Sequence, residues 1–480
     1  MIFNSIEFAL FLPVVFAAYW LIGGVTKDSR RGLWLQNLFV LGASYVFYGW
    51  WSWKFLLLIA FTSGCSYLSG LVIGSSKAAW RKAALWGNIV INIGILALFK
   101  YYDFFAAELA TLLGVEGDRL MLHLVLPVGI SFYTFQALSY SIDVYKGKLE
   151  PTRDVVAFFA YIAFFPQLVA GPIERATNLL PQFRQRRVFD YGQGVDGCRQ
   201  ILWGLFKKMV VADNCAAYVD TVFATGGSGS EHLMAAVLFT FQIYGDFSGY
   251  SDIAIGTAKL FGIRLMQNFR TPYFSRDIAE FWRRWHISLT TWFRDYIYIP
   301  LGGSRVGRWK VVRNTFIIFL VSGLWHGANW TFLAWGFYHA CLFLPLRLLG
   351  KNRKYTDTVA AGQWLPTWKE LGQMVLTFAL AVVGWVIFRA TSIGDAIGYM
   401  GNMLQAETLT GLYKIFTQWE MIPIGIMLAV EWLQRDKEHG LQGVDTVVRW
   451  RWLRYVIYAT AFVAVIYYRG DYAEFIYFQF

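Results

Sequence analysis

Long apolar runs separated by short polar stretches dominate this chain. Representative runs are IEFALFLPVVFAAYWLIGGV (6–25), FLLLIAFTSGCSYLSGLVIG (55–74), VLTFALAVVGWVIF (375–388) and YVIYATAFVAVIYY (455–468). A helix needs about twenty apolar residues to cross the hydrocarbon of a bilayer, and several of these runs approach or reach that length. The pattern predicts an all-α polytopic integral membrane protein with roughly eleven transmembrane helices.

The middle of the chain, about residues 126–340, differs because Gly, Pro, Ser, Asp and Arg interrupt its apolar runs. Irregular backbone is tolerated at membrane depth only where it is buried in protein or lines a watered cavity. We therefore expect re-entrant and interfacial helices around an intramembrane cavity, and we expect the functional region here. No polar stretch is long enough for a second folded domain, so we predict a single membrane domain over residues 1–480.

Composition agrees with a membrane location, since 57% of the 480 residues are hydrophobic and only 15% are charged. The formal net charge of +12 suggests a nucleic-acid ligand at first, but the basic residues fall in loop clusters. Early in the chain these clusters occupy every second loop, which is the positive-inside pattern, so we expect cytosolic basic loops and no nucleic-acid partner. The clusters are Lys27, Arg30 and Arg31; Lys77, Arg81 and Lys82; Arg305, Arg308, Lys310 and Arg313; Arg347, Lys351, Arg353 and Lys354; and Arg449, Arg451 and Arg454.

The same rule predicts the topology. With the basic loops in the cytosol, both termini lie outside it, and the number of full crossings is even. At least one of the eleven candidate helices is therefore miscounted or does not span. The aromatic run FIYFQF (475–480) then lies at the extracytoplasmic interface, either as an anchor or as a docking segment for a partner.

The sequence contains no signature of a metal site or of a bound cofactor. Four cysteines lie singly without C-x-x-C spacing, and we expect buried thiols instead of a metal site or a disulfide framework. The nearest approach to a serine nucleophile elbow is GYSDI around Ser251, where Ile253 replaces the final glycine, so a serine hydrolase is disfavoured. The cysteines are Cys65, Cys198, Cys215 and Cys341.

Two aspartates interrupt the apolar run FQIYGDFSGYSDIAIGTAKLFG (241–262). Ionisable side chains within a membrane segment are costly and need a partner or a function. One interpretation makes Asp246 and Asp252 the buried partners of nearby arginines. The other places Asp246 and the neighbouring Ser248 in a substrate site, and both interpretations give a polar cavity.

The segment NFRTPYFSRDIAEFWRRWHISLTTWFRDYIYIPLGGSR (268–305) alternates aromatic residues with arginines. It resembles an interfacial helix whose rings lie at headgroup level and whose arginines point to water. That interpretation does not account for His286. Alternatively, the segment covers a pocket in which Arg283 and Arg284 meet an anionic donor from the cytosol. Coenzyme A carries several phosphate charges and suits such an entrance.

Another histidine, His326, lies inside the apolar run FLVSGLWHGANWTFLAWGF (319–337). One interpretation is a hydrogen bond to a neighbouring helix. The other is a general base toward a hydroxyl, because burial keeps an imidazole neutral. Trp325 precedes it, and Asn329 follows about one helical turn later, near the same face. We interpret His339, in the next apolar run, as a packing or hydrogen-bonding residue.

Together these motifs resemble the bacterial membrane-bound O-acyltransferase (MBOAT) family, and more closely its alginate O-acetyltransferase branch. The residues that carry the resemblance are PVGISFYTFQALSYSIDVY, FFPQLVAGPIER, YGDFSGYSDIAIGTAKLFGI, FWRRWHISLTTWFRDYIYIPLGG and GLWHGANWTFLAWG, in that order. The resemblance covers essentially the whole chain. It implies that His326 is the essential intramembrane histidine of the family and that His286 matches its second, frequently polar position.

The resemblance implies an O-acetyltransferase that passes an acetyl group from a cytosolic donor, with acetyl-CoA expected, to an extracytoplasmic polysaccharide such as alginate or cellulose. It implies no bound cofactor, a periplasmic or membrane-anchored acetyltransferase partner, an exopolysaccharide acceptor and a multi-pass location in the bacterial inner membrane. The predicted catalytic residues are His326 and His286. The predicted substrate-binding residues are Trp325, Asn329, Arg283, Arg284, Asp246 and Ser248.

Two other functions remain open at this point. A transferase of D-alanyl or another acyl group would take its thioester from a carrier protein, and it would need a docking surface for that folded carrier. A transporter would use the intramembrane polar residues to line a permeation path. Transporters often contain paired broken helices in two related halves, and the sequence contains no such repeat.

Overall fold

The computed structural model describes residues 1–26, 29–75, 77–169, 171–411, 413, 418–471 and 473–476. These residues form helices and irregular connections, with no strand among them. Three features of the sequence fall partly outside the described residues, namely Lys27 of the first basic cluster, Ala170 of the motif FFPQLVAGPIER and residues 477–480 of the terminal aromatic run.

Four long helices begin the chain, and six shorter ones follow them before residue 206. In order they are α1 (Ile6–Val25), α2 (Arg30–Gly49), α3 (Lys54–Ser75), α4 (Ala78–Lys100), α5 (Tyr102–Leu113), α6 (Ile130–Tyr145), α7 (Val155–Ala163), α8 (Phe165–Leu168), α9 (Ala176–Arg184) and α10 (Tyr191–Leu205).

A π-helical segment, Phe206–Ala212, continues α10 and leads into the rest of the chain. The later helices are α11 (Asp213–Thr225), α12 (Gly229–Leu260), α13 (Ile278–Arg284), α14 (Ile287–Phe293), α15 (Arg308–His326), α16 (Trp330–Leu348), α17 (Trp368–Arg389), α18 (Ile393–Met403), α19 (Ala406–Thr410), α20 (Met421–Leu433), α21 (Val444–Val447) and α22 (Arg451–Tyr467).

The chain folds into two compact units, each made of two stretches. The first unit contains Met1–Cys198 and Ala254–Met266, and the second contains Arg199–Ile253 and Gln267–Phe480. Every residue predicted to belong to the functional site lies in the second unit. The single membrane domain inferred from the sequence stays a prediction.

Among the described residues, four helices are long and apolar enough to cross a membrane, namely α1, α3, α4 and α17. The helix α20 is also apolar but shorter. The all-α fold is therefore confirmed for the described residues. The count of roughly eleven crossings stays a prediction.

The cysteines differ from their predicted burial. No disulfide is formed, and Cys215 is buried, but Cys198 and Cys341 are exposed and Cys65 is only partly covered. The prediction of buried thiols is therefore wrong for these three residues. The reason is that an apolar run in a membrane protein marks apolar surroundings, which include lipid as well as the protein interior.

Candidate active site

Three buried histidines and several tryptophans form one aromatic cluster in the second unit. The ring centroid of His326 lies 4.9 Å from that of Trp325 and 5.1 Å from that of Trp335. His286 contacts the same Trp325 with a centroid separation of 5.7 Å. His339 contacts the same Trp335 with a separation of 4.9 Å. The structure thus brings the two predicted catalytic histidines, His286 and His326, into contact with a single indole.

The helix α13 and a strained turn place His286 in this cluster. Asp277 caps the N-terminus of the helix, and its carboxylate accepts a hydrogen bond from the Glu280 N–H at 2.7 Å. It ends at Arg284, and His286 then adopts a φ of +43°, in the left-handed region that few non-glycine residues occupy. Such conformations cost roughly 1–3 kcal/mol and cluster at functional sites. The turn packs the imidazole edge-to-face on Phe247, with centroids 4.6 Å apart.

Asn268 determines which nitrogen of His286 carries the proton. Its Oδ1 accepts hydrogen bonds from the Ser288 N–H at 3.4 Å and the Ser288 hydroxyl at 2.9 Å, which identifies this atom as the amide oxygen. His286 Nδ1 lies 3.0 Å from the same oxygen and therefore donates to it. In the neutral ring Nε2 then carries the lone pair that can take a proton from a hydroxyl.

Burial keeps this imidazole neutral. His286 is 1% exposed, and the loss of hydration lowers its pKa to about 3. Its position between two seven-residue helices lies outside the candidate membrane spans. A neutral ring with a protonated Nδ1 has the form that a general base requires.

His326 is the last residue of α15, and the helix ends there because Gly327 adopts an extended conformation. A Cβ on Gly327 would collide with the Phe332 ring, so a larger residue does not fit at this turn. Asn329 caps the next helix, its side chain accepting from the Thr331 N–H at 3.0 Å. The prediction that Asn329 shares a helical face with His326 is therefore wrong, because the two residues belong to different helices. Substrate binding by Asn329 stays a prediction.

His339 packs inside the same cluster, in agreement with its interpretation as a packing residue. Its ring stands perpendicular to Trp282, with centroids 4.9 Å apart. A Cβ on Gly384 of α17 would lie only 2.7 Å from His339 Nε2. The absence of a side chain at Gly384 therefore permits α17 to approach His339 closely.

The arginines of α13 bind protein acceptors. Arg283 Nη1 donates to the Asn352 carbonyl at 2.6 Å. Arg284 Nη2 donates to Glu280 Oε1 at 2.8 Å and to the Asp357 carbonyl at 3.0 Å. The predicted orientation of the arginines toward water is wrong for Arg284, which is 7% exposed, because Glu280 supplies a buried countercharge four residues earlier. Contact of either arginine with an anionic donor stays a prediction.

Arg276 joins them in an arginine clasp, which we define as Arg276, Arg283 and Arg284. The Arg276 guanidinium donates to Glu280 Oε2 at 3.1 Å and to Asp357 Oδ1 at 2.9 Å. This contact holds the pKa of Asp357 below its ordinary value. The clasp therefore fastens the connection between α16 and α17 onto α13, beside the turn that carries His286.

Asp246 and Asp252 are paired with lysines. Lys208 Nζ lies 2.7 Å from Asp246 Oδ1 and 2.7 Å from Asp213 Oδ1. Lys207 Nζ lies 2.6 Å from Asp252 Oδ2. The interpretation of the aspartates as buried ion-pair partners is confirmed, whereas the expectation that arginines supply the positive charge is wrong.

This lysine–aspartate network also holds the described end of the chain. Asp246 Oδ2 accepts a hydrogen bond from the Ile476 N–H at 2.7 Å, and Lys208 donates to the Ala473 carbonyl at 3.0 Å. The ring of Phe475 between them is fully buried. Asp246 thus has a structural role, and its contact with a substrate stays a prediction.

Ser248 and Trp325 complete the predicted substrate-binding set. Ser248 lies on α12 and is 1% exposed, and its hydroxyl has no hydrogen-bond partner within the part of the chain that the structure describes. Trp325 is 4% exposed and contacts both His286 and His326. Both side chains are buried near elements of the site, and substrate contact by either stays a prediction.

The sequence interpretation missed Lys207, Lys208 and Asn268. The signal for the lysines is present, because two adjacent charges interrupt the apolar run ILWGLFKKMVVA (201–212), and buried charges need partners. Asn268 gives no such signal, because its partner His286 lies 18 residues further along the chain.

Comparison with known proteins identifies the family of this chain. The model of the membrane-bound O-acyltransferase family matches residues 152–377, a range that contains every predicted site residue. The chain is 42% identical to the probable alginate O-acetylase AlgI of Pseudomonas aeruginosa over 399 residues, covering 82% of this chain and 73% of that protein. It is 34% identical to the peptidoglycan O-acetyltransferase of Helicobacter pylori over 434 residues, covering 84% and 80%.

A more distant similarity links the chain to a transferase of another acyl group. Identity to the teichoic acid D-alanyltransferase of Bacillus subtilis is 28% over 278 residues, covering 54% of this chain and 68% of that protein. The long alignments to O-acetylating relatives and the family match show the family of the chain. The chain belongs to the membrane-bound O-acyltransferase family, and it is a membrane-bound acyltransferase.

Proposed function

We propose that this protein takes acetyl groups from acetyl-CoA in the cytosol and passes them across the bacterial inner membrane for O-acetylation of a polysaccharide of the alginate type. The observation that carries the proposal is the contact of Trp325 with both His286 and His326, which puts two buried imidazoles in one site. The names of the relatives support the acetyl group and the polysaccharide acceptor.

The proposed reaction is an acyl transfer from sulfur to oxygen. The oxygen of an acceptor hydroxyl attacks the thioester carbonyl, so that a C–O bond forms and the C–S bond breaks. The hydroxyl proton moves to His326 and then to the leaving thiolate, which gives an acetyl ester and coenzyme A. A positioned general base typically contributes about 10²–10⁴ in rate. His286 is the alternative base, since its Nδ1 donates to Asn268 and its Nε2 carries the lone pair.

The remaining parts of the proposal concern the surroundings of the enzyme. We propose that the basic loops lie in the cytosol and that roughly eleven helical segments lie in the membrane. A periplasmic or membrane-anchored acetyltransferase completes the transfer to the exopolysaccharide. Trp325, Asn329, Asp246 and Ser248 are the proposed contacts to substrate.

We propose that the donor enters near the arginine clasp. In that arrangement Arg283 and Arg284 keep their protein acceptors and add the positive charge that attracts the phosphates of coenzyme A. The proposal does not require either guanidinium to release its partner.

The test is turnover of labelled acetyl-CoA by the purified protein in nanodiscs, with and without a periplasmic acetyltransferase as the proposed partner. We expect His326→Ala to lower turnover about 10²-fold or more, as loss of a general base requires. The matched control is His123→Ala, because His123 is an exposed loop histidine with 62% of its side chain accessible. Thermal melting confirms that each variant is folded.

The outcomes separate the candidate functions. Normal turnover in a folded His326→Ala variant would show that His326 is a structural histidine. A wild-type protein that is inert with acetyl-CoA but active with an acyl carrier-protein thioester would favour D-alanyl or related transfer, for which the similarity to the teichoic acid enzyme is the supporting observation. Flux of a solute without acyl transfer would favour a transporter.

A further inference from the structure

A cavity of about 550 Å³ lies in the first unit, where α1 ends and α2 begins, and we call it the α1–α2 cavity. Its volume falls within the range of small-ligand sites in proteins. The chain just after α9 forms its remaining wall. The lining residues that matter here are Phe16, Trp20, Arg30, Arg186, Arg187 and Phe189.

The cavity is strongly basic at one end. Arg30, Arg186 and Arg187 line it, and its described lining contains no acidic residue. Arg187 is only 7% exposed, and its Nη2 donates to Asn37 Oδ1 at 2.6 Å. Its guanidinium lies over the rings of Tyr19 and Phe183, 5.5 Å from each centroid, but its Nε and Nη1 have no hydrogen-bond acceptor among the residues that the structure describes. A buried guanidinium with two unpartnered donors favours an oxyanion such as a phosphate as its ligand.

The helix termini at the cavity do not change its net positive charge. The helix α2 starts at Arg30 after the N-cap Ser29, which adds a partial positive charge. The helix α1 ends here too, with a partial negative charge, and Thr26 donates both its N–H and its hydroxyl to the Ile22 carbonyl. Because the two partial charges oppose one another, the full charges of the arginines decide which ligands are attracted.

The other end of the cavity is apolar and reaches into the membrane. Phe16 lies ten residues before Thr26, which corresponds to about 15 Å along the axis of α1. Phe189 packs edge-to-face against Phe16 and Trp20, with centroid separations of 5.9 and 5.4 Å. Since α1 is a candidate span, we expect these rings at hydrocarbon depth and the arginines at headgroup level.

We propose that the α1–α2 cavity binds an anionic phospholipid. Its phosphate accepts hydrogen bonds from Arg187, with Arg30 and Arg186 adding charge, and its acyl chain lies along Phe16 and Trp20. A soluble phosphate would satisfy the arginines but would leave the apolar wall without a ligand. The inference does not rest on the proposed function, since its residues all belong to the first unit.

The experiment measures lipid binding to the purified full chain by native mass spectrometry. The probes are dioleoylphosphatidylglycerol, dioleoylphosphatidylcholine and the water-soluble glycerol 3-phosphate. We expect phosphatidylglycerol to bind at least tenfold more tightly than either of the others. We expect Arg187→Gln to lower that affinity roughly tenfold or more, because a charge-assisted hydrogen bond is lost. Arg308→Gln, an exposed arginine of another basic cluster, is the matched control and should bind as wild type does.

A second variant covers the case in which Arg187→Gln fails to fold. Gly24 lines the cavity, and a Cβ built there meets no atom within 4 Å, so Gly24→Leu adds bulk to the wall while every arginine stays in place. We expect it to weaken phosphatidylglycerol binding and to keep the wild-type melting temperature. Equal binding of glycerol 3-phosphate, equal binding of phosphatidylcholine, or unchanged lipid affinity in both cavity variants would each overturn the proposal.

Discussion

Removal of the Lys208 ammonium tests whether the lysine–aspartate network stabilises the second unit. Lys208 is 1% exposed and lies 2.7 Å from a carboxylate oxygen of both Asp213 and Asp246. Replacing it by methionine keeps most of the side-chain volume but leaves two carboxylates buried without their cation. Breaking a buried ion pair by removing one partner costs about 3–5 kcal/mol.

The assay is thermal unfolding of the purified protein in detergent. A change of 1 kcal/mol shifts the melting temperature by about 2–4 °C in domains of 150–250 residues, so we expect Lys208→Met to lower it by roughly 6–20 °C. Lys310→Met, at an exposed position of α15, should melt as wild type does. Adding Asp213→Asn and Asp246→Asn to Lys208→Met should restore part of the stability, since the uncompensated charges are removed.

Two results would refute charge compensation by Lys208. One is a Lys208→Met variant that melts within 1–2 °C of the Lys310→Met control, a difference that corresponds to about 0.5 kcal/mol. The other is a triple variant that is less stable than the single one. In the first case the carboxyl groups of Asp213 and Asp246 would be uncharged in the folded protein, so that loss of the lysine would leave no uncompensated charge. In the second case hydrogen bonds, and not charge compensation, would hold the network together.

Two further predictions concern the turn that carries His286 and the clasp beside it. Asn268→Leu removes the acceptor for His286 Nδ1, and we expect turnover to fall roughly tenfold to hundredfold, the range for hydrogen-bond partners that orient a functional histidine. Asn268→Asp keeps an acceptor and should restore most of the turnover. Equal loss of turnover in both variants would contradict the role of Asn268 in holding the proton on His286 Nδ1. Arg276→Met should raise hydrogen exchange in residues 351–363, and Arg353→Met, at an exposed position of the same connection, should not. Because Arg276 lowers the pKa of Asp357, their contact stabilises the fold above the ordinary aspartate pKa of about 3.9 and is lost as the pH falls through the lowered value. Wild-type protection that disappears at pH 5 would contradict that assignment.

The sequence predicted the parts of the site that depend on local pattern. His326 and His286 stand out because each interrupts an aromatic, apolar stretch, and the structure brings both against Trp325. The paired state of Asp246 was also predictable, because a buried charge requires a partner wherever that partner lies. In these cases the chemistry of one residue was enough.

The predictions that failed depended on geometry between distant residues. The sequence pattern places Asn329 on the helical face of His326, but the helix ends just before Gly327. A glycine within an apolar run does not by itself indicate whether a helix ends there. One of the two interpretations of Arg284 points its side chain to water, as is usual for arginine, whereas Glu280 holds it inside the protein. Cys341 was assigned to the interior because apolar patterns do not distinguish protein from lipid.

The π-helical segment Phe206–Ala212 has a consequence for how this protein tolerates change in length. Hydrogen bonding from residue i to i+5 encloses one more residue in each hydrogen-bonded loop than an α-helix does. In this segment the adjacent side chains of Lys207 and Lys208 both lie inside the protein. Deleting one residue would restore ordinary helical winding and rotate the downstream helix by about 100°. One of the two lysines would then leave its carboxylate partner. Deletion of a single residue within this segment should therefore destabilise the second unit, because a buried charge would lose its countercharge.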